Sequence, residues 1–245
     1  MTAHWQAFLC ALQFMTLLPV RLAGMPDAAT QARAALYYPL VGLCLGLVLV
    51  VAANLLAGLP TAVAAAVLVA LWAGLTGGLH LDGLADSGDG WMGGLGDRER
   101  TLRIMKDPHL GASGALVLML QLLLKWSLLN ALLEQSLLWP LLLAPLVGRA
   151  GALALMVTTP YARADGIAAP FLDQLSPCKA LTVVAIAGLA LLLLQPLGLL
   201  LSIALFWLLR RLMMQRLGGT TGDTLGAQIE LLETLMLFSA ALNLA

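Results

Sequence analysis

Of the 245 residues, 61% are hydrophobic and only 11% are charged, and a mean hydropathy of +0.94 means more apolar surface than a soluble domain could hide in its core. The 13 basic and 13 acidic residues cancel, which excludes both a basic field for nucleic acid and an acidic tail. The chain is therefore expected to be an all-α, polytopic integral membrane helix bundle, surrounded by the lipid bilayer and with no nucleic-acid partner.

The first apolar stretch, Trp5 to Val20, carries Gln6, Gln13 and Thr16 and meets Pro19, so it fits either a span or a helix lying at the interface. Met1 to His4 holds no Lys or Arg for a positive leader region, so a cleaved signal peptide is not expected. Seven later segments approach the roughly 20 residues that cross a bilayer. They lie at about 36–58, 61–79, 111–133, 137–157, 178–195, 197–216 and 225–244. Gly58-Leu59-Pro60 and Gln195-Pro196 leave room only for tight hairpins, although one kinked helix would also fit the second pair.

With these spans, Arg21, Arg33, Arg98, Arg100, Arg103, Lys106, Arg163, Lys179, Arg210, Arg211 and Arg216 fall on one side, which the positive-inside tendency makes cytoplasmic. The other two, Lys125 and Arg149, lie deep within spans rather than towards that side. Lys125 is expected to snorkel or to pair with Glu134.

On the same side, directly after the second span, the chain reads Gly-Gly-Leu-His-Leu-Asp-Gly-Leu-Ala-Asp-Ser-Gly-Asp-Gly over 77–90. Asp82, Asp86 and Asp89, at offsets of 0, 4 and 7, share one face of a helix and repel unless a cation lies among them. Stacked carboxylates suit a hard, oxygen-preferring ion, so they are the expected metal ligands for Mg2+. His80, two residues from Asp82, is a further candidate for the site, while no His-x-x-x-His or Cys-x-x-Cys pair argues for zinc.

The polar segment continues through Asp97 to Lys106, which reads as a short amphipathic helix with Leu102 and Met105 inward. Its Arg98, Arg100, Arg103 and Lys106 are available for phosphate, and a plain solvated surface helix explains the arginines equally well. Lys106-Asp107 stands at the mouth of the next span, with His109 just beyond.

Gly218-Gly219-Thr220-Thr221-Gly222-Asp223-Thr224-Leu225-Gly226-Ala227 opens the last span and is followed by Glu230 and Glu233. Asp223, Gly226 and Glu230 share a helical face. An N-cap at Thr221 or Asp223 would explain the first part cheaply, but not Glu230 two turns inside an apolar helix. Arg149, in Val147-Gly148-Arg149-Ala150-Gly151, needs a partner at membrane depth; the candidates are the aspartates, Glu230 or an anionic substrate. Cys10, Cys44 and Cys178 are isolated and imply no disulfide. There is no P-loop and no Gly-x-Ser-x-Gly elbow.

Carboxylates for a metal, glycines that admit a phosphate and convergent cations make a phosphoryl-transfer site by physical logic. They point to a membrane-embedded, magnesium-dependent transferase acting on a diphosphate. A secondary transporter is the rival class, but its sites lie near the midplane between broken, repeated halves, and here most acids gather on one rim. A membrane scaffold leaves the stacked aspartates unexplained.

Three motifs in order, 77–90, Arg98-Glu99-Arg100 through Ile104-Met105-Lys106-Asp107 to Gly111, and 218–227 with Glu230, closely resemble the cobalamin synthase family of adenosylcobinamide-GDP ribazoletransferases. The resemblance runs from end to end and implies a single membrane-embedded transferase domain over 1–245. It implies transfer of the phospho-adenosylcobinamide group from adenosylcobinamide-GDP to α-ribazole or its 5′-phosphate, with release of GMP, in the bacterial inner membrane; a homo-oligomer stays open. By analogy with CDP-alcohol phosphotransferases, Asp82, Asp86 and Asp89 would hold magnesium against the diphosphate while the ribazole 3′-hydroxyl attacks the phosphate nearer the cobinamide. One of these carboxylates, or Asp223 or Glu230, would take the hydroxyl proton. His80, Arg98, Lys106, Asp107, Arg149 and Gly222 would bind substrate, with Lys106 also assisting catalysis. A related phosphotransferase of another substrate is the alternative. Three positions depart from the family's pattern: Pro108-His109 replaces a Ser and a basic residue, leaving any phosphate contact at 109 to His109, and Ser87 stands where Thr is usual.

Overall fold

The computed structural model describes residues 2–242 apart from 23, 164, 165, 167 and 168. All seven expected spans form helices. A short N-terminal pair comes first: α1 (Ala3–Met15) and α2 (Ala28–Ala35), the second capped by the Asp27 carboxylate, which accepts the Thr30 N–H at 2.8 Å. With 13 residues, α1 is only about 20 Å long, well short of a bilayer's roughly 30 Å apolar core. It does not cross; Ala7, Ala11 and Met15 are buried against its neighbours.

The first hairpin is α3 (Tyr38–Leu55) and α4 (Thr61–Thr76). After α4 the chain turns by 90° into α5 (Leu79–Gly93). Gly77 (φ 64°) and Gly78 (φ 69°) make this elbow, and two successive left-handed residues are a conformation that side chains resist. Next come α6 (Arg98–Ile104), α7 (Ala112–Glu134) and α8 (Trp139–Thr158), then the short α9 (Ala169–Leu172). The chain ends in α10 (Pro177–Leu194), α11 (Pro196–Leu217) and α12 (Gly222–Ala241). Gln195 (φ −151°, ψ 72°) leaves helical geometry and Pro196 starts afresh, so α10 and α11 are two helices rather than one with a kink.

Among the described residues, five helices, α3, α7, α8, α10 and α11, are individually long and apolar enough to cross a membrane, or six spans if the bent α4–α5 pair counts as one. The seventh expected span, α12, is interrupted by Glu230 and Glu233 and lies in the protein interior instead of against lipid. It packs with α8 at the centre of the bundle. Side chains at Gly42 and Gly46 would collide with the α8 backbone around Pro145 and Leu142, so this small-xxx-small pair lets α3 and α8 touch. The outward faces are apolar: Ile186, Leu193 and Leu200 are 65%, 75% and 63% exposed, as suits a lipid-facing surface.

The elbow lays α5 across the first turns of α7 and α12. A Cβ at Gly83 would come 2.7 Å from the Asp223 carbonyl oxygen, and Gly226 packs on the His80 backbone. The aspartates of α5 are thereby held at one end of the bundle, beside the starts of α7 and α12.

Candidate functional site

Three aspartates line one helix as expected, but only two remain uncommitted by backbone contacts. Asp89 accepts the Gly111 N–H and the Gly114 N–H at 2.8 Å each, so it caps α7 from a neighbouring helix. Side chains at Gly111 or Gly114 would strike the carboxylate, which explains both glycines. Asp82 is exposed and Asp86 half-buried. Burial, with the charges of Asp82, Asp223 and Asp89, pushes Asp86 up to about 6 against the opposing pull of Arg163. Anions crowded this closely make a strong local demand for positive charge.

Asp223 joins them from the start of α12. Thr221 is the N-cap, and in a reciprocal capping box it exchanges hydrogen bonds with Thr224. This frees Asp223 from the capping role, and its carboxylate pairs with Arg163 at 2.8 Å. The partners are brought together by a single bridge, in which Ala162 N–H donates to the Thr220 carbonyl and Thr220 N–H to the Pro160 carbonyl, both at 2.8 Å. Sequence reading placed Arg163 only among the cations on one side. Nothing local marks it, because its partner lies 60 residues away and is reached only through that bridge.

Two candidates leave the site. Arg149 is fully buried, and its Nη1 donates to Glu233 Oε1 at 2.7 Å and to the Pro145 carbonyl at 3.2 Å. Glu230, 2% exposed, accepts from Lys125 Nζ at 2.6 Å and from Gln121. Lys125 also reaches Glu233 at 2.8 Å and lies 4.2 Å from the centroid of the buried Trp72 ring. Lys125 therefore neither snorkels, being 3% exposed, nor pairs with Glu134, which accepts from Asn130 instead. Two cations and two anions inside the bundle thus neutralise one another, which is why none reaches the aspartates.

The polar segment also divides. Arg98 donates from Nε to the Leu217 carbonyl, the last of α11, at 2.7 Å and from Nη2 to the Ala162 carbonyl of the segment after α8 at 3.1 Å, rather than waiting for phosphate. Arg216 similarly donates to the Trp91 carbonyl at 2.6 Å. Asp107 accepts from the backbone N–H of His109 at 3.0 Å and lies 2.6 Å from its ring Nδ1 at the exposed surface. Lys106 lines a cavity of about 680 Å3 together with His80, Asp82, Arg163, Gly222 and Asp223. A second, more open cavity of about 590 Å3 shares Gln13, Phe14, Leu79 and Asp82 with it. A Cβ at Gly222 would meet nothing within 4 Å, so packing does not require this glycine, and the cavity edge remains its one visible use.

Among the described residues no three Asp, Glu, His or Cys side chains converge closely enough to cage an ion by themselves. Magnesium seldom needs such a cage: it keeps several waters and is held by one or two carboxylates plus substrate phosphates. Asp82 and Asp86, one turn apart with Asp223 beside them, fit that mode.

A family model described as cobalamin-5-phosphate synthase matches residues 7–241. The chain belongs to this family. A Pseudomonas fluorescens relative named adenosylcobinamide-GDP ribazoletransferase is 51% identical over 239 residues, covering 96% of this chain and 98% of its own. Relatives of the same name from Pseudomonas putida and Stutzerimonas stutzeri are 51% and 50% identical, covering 97% and 96% of this chain and 99% and 97% of theirs. No solved structure matches the chain. Family membership runs through all three motifs, and the cavity is where residues from all three meet: His80 and Asp82, Lys106, and Gly222 with Asp223.

Proposed function

We infer that the chain is an adenosylcobinamide-GDP ribazoletransferase, joining adenosylcobinamide-GDP to α-ribazole or its 5′-phosphate and releasing GMP in cobalamin biosynthesis. Half-identity to ribazoletransferases over nearly the whole length carries the reading, and the carboxylate-and-cation end of the cavity supports it. Such a reaction needs a site that gathers a diphosphate and positions an alcohol in line with the leaving phosphate.

Asp82 and Asp86 would hold Mg2+, with Asp223 as a neighbouring anion, while Asp89 fixes α5 against α7. When bound, magnesium would supply positive charge that offsets what develops at phosphorus. Lys106 and Arg163 bind the diphosphate from the cavity wall. Arg163 exchanges Asp223 for a phosphate when substrate enters, and Asp223, relieved of its cation, becomes the base for the ribazole 3′-hydroxyl. The hydroxyl oxygen then bonds to the phosphorus nearer the cobinamide, the bridging P–O bond breaks, and GMP departs. The concentration of Lys and Arg on the loops of this end supports a bacterial inner-membrane enzyme with its site facing the cytoplasm.

The test is GMP release by detergent-purified protein given adenosylcobinamide-GDP and α-ribazole, with and without a magnesium chelator. Full activity in Asp82→Asn would sink the metal assignment. Corrinoid uptake by proteoliposomes without GMP release would favour a transporter.

A further inference from the structure

The cavity is two-faced. One end carries Asp82, Asp223, Arg163 and Lys106, whereas most of the remaining wall is apolar, built from Phe14 and Met15 of α1, Tyr38 of α3, Met156 of α8, Phe171 of α9 and Ile229 of α12. Nothing in a diphosphate calls for that apolar part. At about 680 Å3 the cavity is within the roughly 300–1,000 Å3 that encloses one small ligand, and it cannot also take in a corrin ring. On its wall His80 is 3% exposed, and neither ring nitrogen has a hydrogen-bond partner. A buried imidazole left without a partner is costly unless a ligand supplies one.

Building on the ribazoletransferase reading, we propose that the apolar part of this cavity seats the benzimidazole base of the ribazole, and that His80 donates a hydrogen bond to the base's one free ring nitrogen. Ribazole is a flat, largely apolar base on a polar sugar, and a cavity with an apolar wall and a charged end has the same division. Its sugar then reaches Asp223 while its base lies among Phe14, Met15 and Tyr38. The second cavity meets the first at Asp82, Phe14, Gln13 and Leu79, so the corrinoid diphosphate enters from the other side and the two reactants meet beside Asp82. The helix that is too short to cross the membrane thereby becomes a specificity element for the base.

The experiment compares α-ribazole with the α-ribofuranoside of dimethylindole, which keeps the shape and the 3′-hydroxyl but lacks the free ring nitrogen. In GMP-release assays the wild type is expected to prefer ribazole in kcat/KM by about tenfold or more, since a buried donor left unpaired costs on that order. His80→Phe should abolish the preference, and His80→Gln, which keeps a donor, should retain part of it. Met15→Ala should raise the KM for ribazole and leave that for adenosylcobinamide-GDP unchanged. Equal use of both nucleosides by the wild type overturns the proposal without any variant, and so does a preference that survives in folded His80→Phe. Absence of GMP release with ribazole itself refutes the enzyme reading instead.

Discussion

Asp86 is opposed by burial first and then by the charges of Asp82, Asp223 and Asp89, so its ordinary acidity is held up to about 6. For a carboxyl raised in the folded state, the contribution to stability is present below its unfolded value near 3.8 and is lost as pH climbs through about 6. The metal-free protein at neutral pH therefore carries a repulsion that Asp86→Asn should relieve, seen as a higher melting temperature without magnesium. Magnesium needs the ionised form, so the melting-temperature gain it gives the wild type should shrink as pH falls from 7.5 to 5 and be absent in the variant. That these aspartates share a face was legible from spacing alone, because the helical period is a local property. The partners of Asp89, 22 and 25 residues further on, were not, and neither was Arg163 beside Asp223. Tertiary contacts choose among equally spaced carboxylates, and one helix's periodicity carries no record of which neighbour arrives.

At the scale of the element, the helices were legible because an apolar stretch bounded by Gly or Pro has few other options in a bilayer. What faced inward was not, since lipid and a protein interior both welcome Leu. The buried charges show the difference: Lys125 meets Glu230 and Glu233 across 105 and 108 residues, and Arg149 meets Glu233 across 84. Lys125→Met should destabilise strongly, on the order of 3–5 kcal/mol, because it strands an anion in a low-dielectric interior. Replacing Lys125 and Glu230 together, by Met and Gln, should recover most of that loss in a thermal-denaturation series. Glycines separate in the same way. Gly42→Leu should break the α3–α8 contact and reduce folded yield, whereas Gly222→Ala, with open space around it, should leave the melting temperature unchanged and raise the substrate KM.

For the molecule as a whole, the outer helices present apolar faces to lipid while the central pair, α8 and α12, is enclosed. The bend at Gly77-Gly78 keeps the carboxylates of α5 at one end of the bundle, beside the starts of α7 and α12. The neutral quartet of Lys125, Glu230, Glu233 and Arg149 joins α7, α8 and α12 at depth. Its cations belong to α7 and α8 and both of its anions to α12, which the ribosome makes after them. Until α12 arrives, α7 and α8 each hold an uncompensated charge and can settle in lipid only poorly. The bundle therefore locks when α12 arrives, and a chain stopped before Gly222 should be cleared by membrane proteases, whereas one stopped there but supplied with α12 as a separate peptide should survive. Biogenesis, as much as catalysis, is written into those four side chains.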